Sequence, residues 1–421
     1  MKQFDSLHWR KAPAFCAVLF CLFSSGAAVA AEWSIEPSVS LREEYNDNIR
    51  FVTSPHPGVW QSRLSPSIRM SSNTEVAEVS GLAQLNIIQF AGDPQVENRN
   101  DQVFSLLTRY QSELNAWAMN VSYKQDSTAD ERNTTGVAQN FTQRSTLSLS
   151  PSWMRTLTER SSLNLDYSYQ EVKYGAHTNN LNDYTSQQVG GTLQYRLTEQ
   201  DQVSLSANYS KSDYAPETKV SDPSPFYLST TTLNKSDLSN VQLGIDHAFS
   251  ETLRGSLTLG KRNTITMKEQ SQALCLGLAC ATPVNVKSET QSAGTTFSAN
   301  LGKTFESSTV SGFASRDTNA SGSGLVETDK FGVSLNRSLT EKLTGSFDAT
   351  AYRTKYIDAT APASRYYTFE PKLNWRFTEW WTLDAGYRYA RSESDAVTNA
   401  TTANVVYLNL VYNWPKKAIS R

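Results

Sequence analysis

Apolar and polar residues alternate with a period of two along most of the chain. Leu163, Leu165, Tyr167 and Tyr169 interleave with Asn164, Asp166, Ser168 and Gln170, and Val203, Leu205, Ala207 and Tyr209 with Ser204, Ser206, Asn208 and Ser210. Tyr367, Phe369, Pro371, Leu373, Trp375 and Phe377 interleave with Thr368, Glu370, Lys372, Asn374 and Arg376. Val406, Leu408, Leu410, Tyr412 and Trp414 interleave with Tyr407, Asn409, Val411 and Asn413. Successive side chains of a strand point to opposite faces, so each segment predicts a strand with one apolar and one polar face.

A soluble sandwich shows the same alternation, and three features separate the two. The segments run near the roughly 9–11 residues of a tilted membrane strand, against about 5–6 in globular sheets. Aromatics make up 17 Phe, 9 Trp and 19 Tyr, and many sit at strand ends, where interfacial girdles form. The connections also alternate between short and long, as in outer-membrane barrels.

The short connections form a degenerate repeat of a basic or aromatic residue, an apolar one, Ser or Thr, then Glu. Copies are Arg155-Thr156-Leu157-Thr158-Glu159, Arg196-Leu197-Thr198-Glu199, Ala248-Phe249-Ser250-Glu251, Arg337-Ser338-Leu339-Thr340-Glu341 and Arg376-Phe377-Thr378-Glu379. A hydroxyl at this place bonds the backbone of a tight turn, so the repeat is read as structural. The long connections are rich in Asn, Asp, Ser, Thr, Gly and Pro: 46–58, 91–101, 127–140, 176–183, 215–235, 269–287, 319–326, 358–364 and 395–402. Nine long loops and eight turns predict an all-β antiparallel up-and-down barrel of 18 strands, with 16 as the alternative and both ends on the periplasmic side. The first strand is expected at Trp33, which leaves no room ahead of it for a plug, a chaperone-like module or a secreted passenger.

The N-terminus adds a destination. Lys2, Arg10 and Lys11 precede an apolar run from Ala14 to Phe23 and the small-residue pattern Ala28-Val29-Ala30. That is a secretory signal peptide over 1–30, too short for a membrane helix, with the bulky Phe20 before Cys21 arguing against a lipoprotein. The expected layout is signal peptide 1–30, outer-membrane barrel 31–414 and a short periplasmic tail 415–421. Removing the signal takes three of 39 basic and one of 41 acidic residues, leaving a net charge of −4. Such a balance points to no nucleic-acid partner. Mean hydropathy is −0.47, which alternation alone explains. Cys275 and Cys280 are the cysteines left, and their spacing in an exported chain favours a disulfide over a metal site.

With the apolar set toward lipid, the opposite set lines the lumen. Its acids are Glu36, Glu44, Asp166, Asp246, Asp348, Glu370 and Asp384, and its bases Arg42, Arg63, Arg69, Arg196, Arg254, Lys372, Arg376 and Arg388. Seven against eight implies no strong ion selectivity. A sharper reading makes Arg42, Arg63 and Arg69 a basic ladder facing acids across the pore. Tyr407 and Tyr110 are read as inward, and hydroxyls, amides and aromatic faces in such numbers suit a saccharide. Tyr45-Asn46-Asp47-Asn48 reads as a turn whose side chains bond their own backbone, ahead of a calcium site. If the lumen is closed, the candidates for an inward loop are 215–235 and 269–287.

An enzyme is not expected. The mature histidines His56, His177 and His247 stand in loops or at a strand end, and no nucleophile elbow, metal-ligand spacing or phosphate loop is present. No catalytic residue, metal or cofactor is therefore assigned.

The chain resembles the outer-membrane β-barrel porins found with bacterial exopolysaccharide and PEP-CTERM protein-sorting gene clusters. The carrying residues are Pro37-Ser38-Val39-Ser40-Leu41 followed by Tyr45-Asn46-Asp47-Asn48-Ile49, the Leu-Thr-Glu turns, and the closing Leu408-Asn409-Leu410-Val411-Tyr412-Asn413-Trp414. The resemblance implies a porin-like channel in the outer membrane of a Gram-negative cell, tied to polysaccharide synthesis or export. Its expected partners are outer-membrane lipid, saccharide and periplasmic export machinery. The alternative it carries is a non-conducting docking barrel. Pro415–Arg421 departs from the aromatic last residue on which many such barrels end.

Overall fold

The computed structural model describes residues 32–53, 55–136, 142–175, 181–221, 226–276, 279–357, 362–395 and 397–419. The predicted signal peptide lies outside the described residues. Among them, 18 long strands form one antiparallel sheet in which chain neighbours pair in sequence order. The sheet closes on itself: the first strand (Trp33–Asn46) pairs with the last (Val397–Asn413), from Ser38 opposite Asn413 to Asn46 opposite Val405. Closure satisfies every wall strand on both sides, the only way a sheet can cross hydrocarbon without an unpaired edge. No described helix is long and apolar enough to cross a membrane.

The outward row is apolar and uncovered. Leu243 is 64 % exposed, Leu259 56 %, Leu205 51 % and Leu408 53 %, where a soluble sheet would bury them. Around the turn end this row turns aromatic: Trp375, Phe377, Trp381, Tyr412 and Trp414 follow one another with ring centroids 4.7–6.4 Å apart. Tyr110 is 51 % exposed and stands opposite Trp117 on this same face, so it points to lipid and not into the lumen. Its strand alternates weakly, which hid its parity.

The turn repeat works as the sequence implied. In each copy the hydroxyl accepts from the backbone N–H two and three residues on: Thr158 from Arg160 and Ser161, Thr198 from Gln200 and Asp201, Ser250 from Thr252 and Leu253. Thr340 and Thr378 repeat the geometry. Beyond the last wall strand, Lys417–Ile419 adds a short strand against Trp33–Ile35, so this part of the tail is held to the barrel.

The wall has uneven height. Fifteen strands hold 13–17 residues, whereas Phe226–Ala248, Leu253–Leu276 and Val284–Thr304 hold 23, 24 and 21. The excess projects about 20–30 Å past the rim at roughly 3.3 Å per residue. Most of the two stretches expected to fold inward, 215–235 and 269–287, is this flap. Above the lipid both faces of a strand meet water, so neither needs apolar side chains and the alternation that reveals a strand disappears. The Cys275–Cys280 disulfide closes the hairpin at its tip.

Two other segments fold inward. Residues Thr128–Thr135 form a helix, α1, opened by a capping box between Ser127 and Asp130 and closed at Gly136 with φ 71°. A Cβ at Gly136 would stand 2.4 Å from the Tyr352 side chain, so glycine is needed there twice over. The second is the hairpin around Ser321–Gly324. Its neighbour strand stops pairing at Phe297 opposite Arg316, while the hairpin itself runs on to its tip. Freed there, the tip crosses to the far wall: Asn182 N–H donates to the Gly322 carbonyl at 2.8 Å and the Tyr184 hydroxyl to the Ala320 carbonyl at 3.2 Å. Ala320 packs on a buried cluster of Val172, Tyr174, Leu181, Tyr184 and Tyr214, and Glu327 pairs with Arg262.

Candidate functional site

At the outer end of the lumen α1 meets the wall, and side chains from both line one cavity. The register of the first two strands sets Arg42 opposite Arg63, on the face away from the exposed Leu41 and Leu64. Arg42 donates to Glu44 at 2.7 and 3.1 Å and lies 3.7 Å from the centre of the Tyr407 ring. The Tyr407 hydroxyl donates to Glu370 at 2.7 Å. Arg388 approaches Glu44 at 3.8 Å and Glu370 at 4.0 Å.

The helix closes the other side. Asp130 accepts from Arg99 at 2.7 Å and has Arg63 at 3.9 Å, and Arg99 also holds Asp101 at 3.0 Å. Burial works to raise the Asp130 pKa, but Arg99, Arg63 and bonds from Ser127 outweigh it and hold the carboxyl below the ordinary 3.8. Arg132 reaches past the helix to lie 4.8 Å from the Phe51 ring centre, and Phe51 in turn meets Tyr366 edge-on at 5.7 Å. Phe51 holds this place with φ 52°, a strained backbone for a bulky residue. Together these groups enclose a cavity of about 190 Å³.

Loop 47–53 is fixed by the Asn-Asp-Asn segment. The Asn46 side chain accepts from Asn48 N–H at 2.9 Å, Asn48 donates to the Val52 and Thr402 carbonyls, and the Asp47 carboxylate accepts two bonds from Asn404. The segment is a turn that staples the first outer loop across the seam to the closing strand.

The expected lumen residues fall into two groups. Arg42, Arg63, Glu370 and Arg388 come together at the constriction. Arg69, Asp246, Arg254, Asp348 and Arg376 occupy the inner face nearer the turns and are exposed, with Asp166 and Lys372 half-buried beside them. Asp384 accepts from Asn374 and Asn409 within the wall. Arg69 stands opposite Glu36, so the first hairpin mixes signs below and doubles the positive charge above. At the turn end a second cavity of about 580 Å³ is open and lined by Arg196, Asp246 and Arg254.

The constriction contains residues the sequence reading passed over: Phe51, Arg99, Asp101, Asp130, Arg132 and Tyr366. One signal was available, because Ser127-Thr128-Ala129-Asp130 has the spacing of a capping box inside a stretch that looks like loop.

A closed sheet with an uncovered apolar belt, a polar interior and short turns at one end is an outer-membrane barrel. Residues 290–413 match the family model described as "Putative beta-barrel porin 2". The match runs from the upper part of the Val284–Thr304 strand to the end of the closing strand. Solved structures of similar architecture include the ferric-catecholate import receptor Fiu from E. coli K12, at 10 % identity over 90 % of this chain and 81 % of Fiu with TM-score 0.48. The ferric yersiniabactin uptake receptor FyuA from Yersinia pestis is similar at 9 % identity over 91 % of this chain and 80 % of FyuA, TM-score 0.46. Pseudomonas aeruginosa OpdK, solved with vanillate, is similar at 9 % identity over 91 % and 99 % of the two chains, TM-score 0.43. No curated protein sequence matches the chain.

Proposed function

We propose that this barrel is an outer-membrane channel for small hydrophilic solutes, saccharides among them, that rests closed and serves exopolysaccharide synthesis or export. The observation that carries the reading is the seating of α1 in a polar lumen by ion pairs, not by apolar packing. A half-buried ion pair such as Arg99–Asp130 holds with about 1–3 kcal/mol, which thermal or ligand-driven opening can overcome. A permanent plug would be expected to bury far more apolar surface. The open inner vestibule then serves as the periplasmic entrance, a place where export machinery can deliver a chain. The signal peptide and its cleavage belong to the same reading, since such a barrel is assembled from the periplasm.

A second reading, a docking barrel that does not conduct, is favoured by the flap that stands beyond the rim. Single-channel recording of the refolded mature protein in a planar bilayer separates the two. Brief or substrate-driven openings support the channel. Silence in the wild type and in a variant lacking residues 128–136 would leave only the docking role.

A further inference from the structure

Arg42 and Arg63 are neighbours across the first hairpin, and like charges directly opposite destabilise a sheet. A wall that merely needed wetting would pair opposite signs, as Glu36 and Arg69 do in the same hairpin. Arg388 adds a third guanidinium on this side, and Glu44 lies within 4.0 Å of both Arg42 and Arg388. Arg99 and Arg132 face the same cavity from the fourth strand and from α1. Against these five stand Glu44 and Asp130 in the lining, with Glu370 behind Arg388 and Asp101 behind Arg99.

The surplus falls at Arg63. Its one carboxylate neighbour within 4.0 Å among the described residues is Asp130, at 3.9 Å, beyond hydrogen-bond reach, while Arg99 takes that carboxylate at 2.7 Å. The Arg63 Nε is buried and has no hydrogen-bond partner among the described residues. With that donor unused, the chain by itself does not satisfy the Arg63 guanidinium. The cavity holds about 190 Å³, room for a compact solute of roughly the size of one sugar ring. Gln61 and Asn46 add neutral amides to its lining.

We infer that the constriction is a binding site for the carboxylate of a small hydroxylated solute, held by Arg63 and Arg42. The Arg63 guanidinium offers a planar fork of donors that fits a carboxylate, Arg42, whose Nε and Nη2 already donate to Glu44, adds positive charge beside it, and the amides suit the hydroxyls. The site names the substrate class of the proposed channel, and for its role in passage it rests on that reading. Binding itself does not require conduction.

Calorimetric titration of the refolded mature barrel with galacturonate, and with galactose as the neutral counterpart, at fixed ionic strength and pH 7 tests it. Galacturonate is expected to bind and galactose not to. Arg63→Gln is expected to weaken galacturonate on the order of tenfold, the usual effect of losing a charge-assisted pair, and Arg63→Lys by less. Equal response to both sugars, no binding of galacturonate, or binding unchanged in both Arg63→Gln and Arg42→Gln would overturn the inference. If a variant fails to fold, the two sugars on wild type still decide. Galacturonate binding in a protein silent in bilayers, with and without residues 128–136, would sink the channel and leave this site standing.

Discussion

The outer and inner halves of the lumen are built from the same strands and differ in what they touch. Along the first hairpin, Glu36 and Arg69 are exposed or half-exposed below, while Glu44 is buried above. Tyr352, Tyr366 and Tyr407 are buried in the outer half, whereas Asp246, Arg254 and Arg376 are exposed in the inner half. The wall supplies polar side chains along its whole height. Partners occur along the whole wall, as at Asp384 and Asp348, but it is where α1 and the hairpin tip enter that the side chains also lose water and close around a cavity. The lumen is thus lined by its strands and narrowed to a cavity by its loops.

The comparison is broken most directly at the helix. Asp130→Asn removes the charge that Arg99 and Arg63 share and leaves both partly desolvated. A loss on the order of 1–3 kcal/mol in seating the helix follows, and open probability in a bilayer should rise roughly 5- to 150-fold. An unchanged open probability would mean that α1 is held by something other than this clasp.

Acid should act on the same carboxylate. Because Asp130 is held below 3.8 while the helix is seated, its contribution to closure is complete above that value and is lost as pH falls through and below it. Openings should therefore increase from pH 5 to pH 3 in wild type, change little between pH 6 and 8, and lose this acid response in Asp130→Asn. Currents recorded across that series check the sign.

The second inward element should matter less. Arg262→Ala removes the ion pair to Glu327 but leaves the Ala320 contacts and the Asn182 bond. A conductance increase of about twofold is expected. No change there, with a large one in a deletion of the tip, would assign the hold to packing alone. The smallest effects belong to the regions outside the constriction. Arg254→Gln should change conductance by less than about a third, since a charge in open water is strongly screened. Deleting 269–287 should shorten the flap and leave the current unaltered, and a rise on that deletion would return the blocking role to this segment.

Alternation and length suffice for the strands, their inward and outward faces, the turns and the closure, because lipid demands an apolar residue at every second position. Arg42, Arg63, Glu370, Arg388 and Tyr407 could be placed on the inner face for that reason alone. Tyr110 was misplaced where the alternation weakens. The flap strands were hidden because water on both faces imposes no pattern. Nor could the period of two say that Arg42 and Arg63 share one level, since that depends on the length of loop 47–58 and the register it sets. The direction of the loops was decided by tertiary structure. Whether 128–135 turns inward is fixed by Asp130 meeting Arg99 from a strand about 30 residues earlier, and the hairpin tip by a carbonyl meeting Asn182. Such contacts join residues that share no local pattern, and only the closed barrel brings them within reach.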